Sequence, residues 1–335
     1  MRRLTGLAML GLLLFTTACS AAVVTSPPPA MSPPGPTSTS TLLPTTAATQ
    51  TPTVEPSPTA TLTPTPFSPE GCSRDFCVVA GDFWLQRPIS ASAQQTVDGS
   101  YLYGSSQNGQ RIVHSGVEFY NAFGTPVLAA ADGRVVYAGN DEDTAFAPWT
   151  HFYGNLVILE HATPHNGTLY SLYAHLSEID VVQGGTVQAG QVIGKVGMSG
   201  SAIGSHLHFE VRTDPLNYST TRNPLLYLAP LNNANGTALA VLAGQLIDAT
   251  GQFISTPQLV IEQLDLPEST APQRFYIETY AAKIASDPDW QENFVLSDLQ
   301  PGRYRVSFVY HGRLLEHFIT LTAGQLTYLS LQVEN

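Results

Sequence analysis

An all-β protein is what this sequence predicts, and three observations carry the prediction. From about residue 78 onward, short runs rich in Val, Ile, Leu, Tyr and Phe recur between clusters of Gly, Pro, Asn and Asp, the pattern of strands and their turns. No segment there keeps a helical period over a useful length. The stretch "GTPVLAAADGRVVYAG" sets two β-rich runs around Asp132-Gly133, a dipeptide suited to the tight turn of a hairpin. The expected architecture is a sheet or sandwich domain followed by a second, smaller β-sandwich.

Taken in order, the chain opens on "MRRLTGLAMLGLLLFTTACS", which reads as an export signal over residues 1–19. Arg2 and Arg3 give the charged start, Leu7 to Phe15 the apolar segment, and small residues precede Cys19. The apolar run is too short to cross a bilayer comfortably. "TTAC" resembles a bacterial lipoprotein cleavage box, in which Cys19 becomes the lipid anchor, although Thr16 stands where leucine is commonest. Simple secretion, with cleavage near "ACSAA", is the other reading. The chain is expected to be exported, either anchored at the cell envelope or secreted.

Residues 20–70 form a linker, almost entirely Pro, Thr, Ser and Ala from residue 23 on. Such a segment cannot bury enough apolar surface to offset its ordering entropy, so disorder is expected. At about 3.1 Å per residue it reaches on the order of 100 Å or more. Cys72 and Cys77, in "GCSRDFC", suggest a small disulfide loop in an oxidising compartment.

Residues 71–230 form the first domain, with strands expected at "NLVILEH" and "GTLYSLYAHL" and short Val/Ile runs in "VVQGGTVQAGQVIGKVGMSG". Composition changes at "LNNANGTA", residues 231–238, and residues 238–335 alternate again as a small sandwich. In that last part "FVLSDLQPGRYRVSF" and "LTAGQLTYLSLQV" resemble the carboxypeptidase-regulatory-like (transthyretin-like) sandwich. It holds His311 and His317 but no clustered carboxylates or cysteines, and so no catalytic set. With 14 basic against 26 acidic residues and a net charge of −12, nothing in the sequence resembles a basic patch, and nucleic acid is not expected as a partner.

Seven of nine histidines lie between residues 114 and 208. In "SHLHFEVR", His206 and His208 are two apart, so a strand projects both imidazoles to one face. In "HSGVEF", His114 and Glu118 share the same strand parity, while Gly116 and Val117 argue against a helix. A catalytic zinc site needs three N or O ligands and one open position for water. His114, Glu118 and one histidine of the pair supply such a set; the other, with His175 of "LYAHLS", can serve the water or a developing oxyanion. His161 follows a strand and is expected to be structural or at a groove edge, and His151 and His165 to be solvated. The insertion "DEDTAFAPWTHFY", residues 141–153, is either a groove wall or a plain surface loop, and "GSYLYGSSQNGQ" is equally ambiguous.

"HSGVEF", "GTPVLAAADGRVV", "YGNLVILEH", "LYAHLS", "VQAGQVIGKVGMSG" and "GSHLHFEVR" occur in the order of the lysostaphin/LytM-type zinc endopeptidases, and residues 110–215 resemble that family. The resemblance implies a β-sheet fold with one zinc ion in a groove and peptide cross-links or stem peptides of peptidoglycan as substrate. It implies His114, Glu118 and His208 as metal ligands and His175 and His206 as catalytic residues. Position 118 departs from the family's aspartate, and the extra methylene must be absorbed by a rotamer or a small backbone shift. The C-terminal sandwich is expected to position the enzyme, to contact cell wall or protein, or to act as a spacer.

Two other readings stand beside this one. A catalytically silent relative would bind peptidoglycan or regulate an amidase. The repeats "VVQGGTVQAGQVIGKVG" resemble biotinyl and lipoyl carrier hairpins, but Lys195 lies inside a strand-like run rather than at a tip.

Overall fold

The computed structural model describes residues 76–256, 258–266 and 273–334, all within one unit spanning Thr61–Asn335. The export signal, Cys19, the linker and Cys72 lie outside the described residues. Cys77 is disulfide-bonded.

Among the described residues seventeen strands run in chain order. β1 (Phe76–Val79) comes first. A site-bearing module follows, with β2 (Val117–Tyr120), β3 (Pro126–Leu128), β4 (Gly133–Asn140), β5 (Asn155–Ala162), β6 (Thr168–Ile179), β7 (Thr186–Val187), β8 (Val192–Val196), β9 (His206–Arg212) and β10 (Thr221–Arg222). The last part holds β11 (Ala240–Ile247), β12 (Leu259–Gln263), β13 (Arg274–Ile277), β14 (Phe294–Leu299), β15 (Gly302–Tyr310), β16 (Arg313–Leu321) and β17 (Leu326–Gln332). Among the described residues the helical elements are two 3-10 turns, Tyr218–Thr220 and Pro224–Leu226, and the protein is all-β as expected.

Strands β2 to β10 form one nine-stranded sheet whose main path runs β10-β9-β6-β5-β4-β7. The expected β5–β6 pair is present, and β6 also pairs with β9. β2 lies antiparallel on β9, with Glu118 opposite His208 and Tyr120 opposite His206. β9 is buried along its whole length. Its odd positions, Leu207, Phe209 and Val211, enter the apolar core, so strand parity turns His206, His208, Glu210 and Arg212 to the opposite face.

The expected hairpin at Asp132-Gly133 does not form. β3 pairs with β8, whereas β4 pairs with β5 and β7. Gly133 does not take the positive φ that such a turn demands of its glycine. It is small for another reason: a Cβ there would lie 2.6 Å from the Glu160 carbonyl oxygen and 2.8 Å from His161 Nδ1. Lys195 lies within β8 and pairs with Glu178, away from any hairpin tip.

The last part is a sandwich of two four-stranded sheets, β1-β17-β11-β14 and β13-β12-β15-β16. Its first sheet takes an edge strand from far upstream, since Phe76 pairs with Leu329 and Val79 with Leu326. One apolar core runs from the nine-stranded sheet through Leu225, Leu226 and Leu228 into Val241, Leu242, Tyr304 and Leu329 of the sandwich. A partly buried ion pair, Arg87 with Asp298 at 2.8 Å, adds a polar tie across the same seam.

Candidate metal centre

The ligand atoms of His114, Glu118 and His208 all lie within 4.8 Å of one another, and all three residues are buried. His208 and Glu118 arrive from cross-strand positions on β9 and β2. His114 comes from a loop instead, three residues before β2, so the strand parity expected for it does not apply. The chain bends at Gly116, where a Cβ would fall against the Phe209 carbonyl and within 2.9 Å of His208 Nε2.

The hydrogen bonds around the two histidines determine which ring nitrogens are free. His114 Nδ1 lies 2.6 Å from the Tyr101 carbonyl oxygen, an acceptor, so Nδ1 carries the proton and Nε2 keeps a lone pair. His208 Nε2 lies 2.9 Å from Glu210 Oε1 and donates to it, leaving the lone pair on Nδ1. The two bare nitrogens face each other at 3.3 Å, and Glu118 Oε1 is 3.7 Å from His114 Nε2. Two lone pairs and a carboxylate held this close repel unless a cation lies between them. Glu118 Oε2 is also buried with no hydrogen-bond partner. The donor set of two imidazoles and one carboxylate suits zinc.

Glu118 reaches this position despite its extra methylene, because its Oε1 lies within 3.7 Å of His114 Nε2 and 3.5 Å of His206 Nε2. Burial raises the energy of a charged Glu210, yet Arg212 beside it and hydrogen bonds from His208 and Ser115 hold its pKa well below the usual carboxylate range. Tyr153 and Arg212 complete this buried network, with Arg212 Nη2 donating to Tyr153 Oη at 2.7 Å.

His206 and His175 flank the group. His206 Nδ1 is 3.1 Å from the Gly204 carbonyl, and its Nε2 is buried without a hydrogen-bond partner. His175 sits in β6 at φ +62, a left-handed conformation where the strand register shifts. That irregularity aims its ring at the centre, with Nδ1 held by the Ser199 carbonyl at 2.9 Å and the ring centroid 4.8 Å from that of His206. Burial, reinforced by His208 and His206, pushes the His175 pKa down to about 3. Burial also lowers His206, against the opposing effect of Glu118. His114 is driven far below the ordinary histidine range by burial and by His208.

The centre opens into a groove of about 240 Å³. Tyr101, Arg111, Ile112, Tyr120, Trp149, Phe152, Ile203 and Tyr218 line it around the histidines. The insertion 141–153 therefore supplies a groove wall through Trp149, while Asp141 anchors its base by accepting hydrogen bonds from the Tyr153 and Gly154 amides. The lining begins at Tyr101; upstream of it Gln86 and Arg87 bond to Ala129 and Asp298, while the Asp98 amide donates to the Glu118 carbonyl at 2.9 Å. His161 is buried and structural, bonded to Asp132 and Ser171, and His151 and His165 are exposed. His311 is exposed on the sandwich, and His317 on β16 lies outside the groove. Sequence reading missed Tyr101, which stacks on His114 with ring centroids 4.1 Å apart, and Glu210. The latter's position, two residues after His208 on the same strand face, was the available signal.

Fold and site together define an all-β protein with a His–Glu–His group able to hold a metal ion. Residues 112–223 match the model of peptidase family M23, and this module is a domain of that family. Similar proteins include the glycyl-glycine endopeptidase ALE-1 of Staphylococcus capitis, 36% identical over 115 residues, covering 34% of this chain and 29% of the relative. Lysostaphin of Staphylococcus simulans is 34% identical over 129 residues, covering 37% of this chain and 24% of its own length. The murein hydrolase activator NlpD of Salmonella dublin is 36% identical over 143 residues, covering 42% and 32%. The chain thus spans less than a third of the length of each of these relatives.

Proposed function

We propose that this chain is an exported zinc metalloendopeptidase that hydrolyses peptide bonds of bacterial peptidoglycan. The observation that carries the reading is the convergence of two unprotonated imidazole nitrogens on a buried carboxylate, beside two further histidines that point Nε2 toward the same groove. His114 Nε2, Glu118 and His208 Nδ1 would hold the zinc, which when bound would supply Lewis-acid activation of water and of the scissile carbonyl. The rest falls to the chain itself. His175 and His206 are neutral near pH 7 because burial lowers both, so each can accept a proton at Nε2 and then donate a hydrogen bond from it. Their Nδ1 atoms are tied to backbone carbonyls, which fixes the ring orientation for that exchange. The exposed apolar rim formed by Tyr120, Trp149, Ile112 and Ile203 offers contact area to a peptide laid along the groove. One relative is named as a glycyl-glycine endopeptidase, which supports a peptide substrate.

Purified protein incubated with peptidoglycan, with and without a chelator and beside a His208→Ala variant, tests the proposal. Muropeptide release that disappears with chelator and with the substitution is the expected result, and mass spectrometry of the fragments names the bond. Stoichiometric zinc without release from several wall types would instead support the silent relative that binds peptidoglycan or regulates an amidase. Export is tested separately by following processing at Cys19 with a lipid label in wild-type and Cys19→Ser chains.

A further inference from the structure

We propose that Glu278 and Tyr280 of the C-terminal sandwich are positioning residues for the metal ligand His114, so that the sandwich is part of the site rather than a spacer. The inference rests on the metal-centre reading above and names what holds its loop-borne ligand. Unlike Glu118 and His208, His114 has no strand to fix it. Its backbone is instead bonded on both sides to one short segment, His114 N–H to the Ser105 carbonyl at 2.9 Å and Gly104 N–H to the His114 carbonyl at 2.8 Å. Whatever fixes residues 104 and 105 therefore fixes His114.

The sandwich fixes them. The Ala281 amide donates to the Gly104 carbonyl at 2.9 Å. The Tyr280 ring lies where a side chain on residue 104 would be, and Gly104 has a φ of +79 that glycine alone adopts freely. Tyr280 is held in turn, its hydroxyl donating to Glu292 at 2.8 Å and accepting from Asn223 Nδ2 at 2.9 Å. Glu278 then gathers three donors of the next turn. Its Oε2 accepts from Ser105 Oγ at 3.0 Å and from the Ser106 amide at 2.9 Å, and its Oε1 accepts from the Asn108 amide at 2.6 Å. Bonds to an ionised acceptor are the strong kind.

The turn needs that support. Gln107 and Asn108 both have left-handed φ, +48 and +59, and Gly109 follows at +77. Successive left-handed residues persist only where the surroundings over-determine them. From this turn the chain runs directly into Arg111, Ile112 and His114, which line the groove. Glu278 thus acts on the centre through His114 without touching it.

The experiment uses the full chain and three variants, Glu278→Ala, Glu278→Gln and Asp298→Ala. Zinc affinity is measured by competition with a chromogenic chelator, and hydrogen exchange of residues 105–113 is measured on the metal-free proteins. Glu278→Ala is expected to weaken zinc binding about 10- to 100-fold, the usual effect of losing an outer support of a metal ligand. It should also speed exchange in the loop, and Glu278→Gln, which keeps an acceptor oxygen, should fall between it and wild type. Asp298→Ala breaks the Arg87 tie elsewhere on the seam, so it should lower the melting temperature while leaving zinc affinity unchanged. Wild-type zinc affinity and wild-type loop exchange in Glu278→Ala would overturn the inference, as would equal losses of affinity in Glu278→Ala and Asp298→Ala. A wild-type chain that binds no zinc would overturn the metal-centre reading instead, and the exchange measurement would still decide whether Glu278 orders the loop.

Discussion

The metal group is built by two different methods, and the contrast between them is instructive. Glu118 and His208 stand opposite each other in an antiparallel register, so the sheet itself sets their separation. His114 hangs on a loop whose geometry is set by residues more than 160 positions later. Ligands carried by paired strands need only correct alternation. A loop-borne ligand needs a scaffold brought in from elsewhere, and here that scaffold is a second structural module.

The strand-borne side can be broken most severely at Glu210. Glu210→Ala strips the buried Arg212 of its carboxylate and leaves an uncompensated charge, so a loss of about 3–5 kcal/mol is expected. Denaturant unfolding measures it, and a loss below about 1 kcal/mol would mean that Tyr153 and the Phe146 carbonyl already satisfy Arg212.

The support beneath the loop-borne ligand is expected to depend on pH. Burial, with Asp287 nearby, raises the Glu292 pKa to about 8, and this carboxyl holds Tyr280. Between the ordinary value and about 8 the unfolded chain releases this proton while the folded chain keeps it. The group's contribution is therefore complete at pH 4 and declines as pH rises, by on the order of 4 kcal/mol up to pH 9. Thermal melts of wild type and Glu292→Gln across that range check the sign, since the wild type should lose more stability on alkalinisation than the variant does.

The smallest expected effect sharpens the strand-borne side. Glu118→Asp withdraws the carboxylate oxygens by roughly one carbon–carbon bond from a position already 3.5 to 3.7 Å from two imidazoles. Zinc affinity should fall about tenfold, or about 1.4 kcal/mol. Equal or tighter binding by the aspartate variant in the chelator competition would show that the backbone is not fitted to glutamate.

What the sequence disclosed follows the same division. Period-two spacing was enough to put His206 and His208 on one face, because strand parity is a local property. For His114 and Glu118 the parity argument grouped the right residues on the wrong element: Gly116 ends the regular backbone, and convergence comes from a bend. His175 depends on a left-handed residue within a strand, which no propensity signals. Tyr101 and Glu278 act through contacts made only after folding, so no local pattern could mark them. The Asp132-Gly133 reading failed because glycine there answers to the close approach of β5 rather than to turn geometry.

The pairing of β1 with β17 has a consequence for the order of events during folding. Phe76 and its neighbours wait for partners about 250 residues later in the chain, so this sheet closes only once β17 is available. The sandwich that braces His114 shares that sheet. The nine-stranded sheet can form earlier, with Glu118 and His208 already in register, but its third ligand gains its brace last. Maturation of the centre thereby waits on β17.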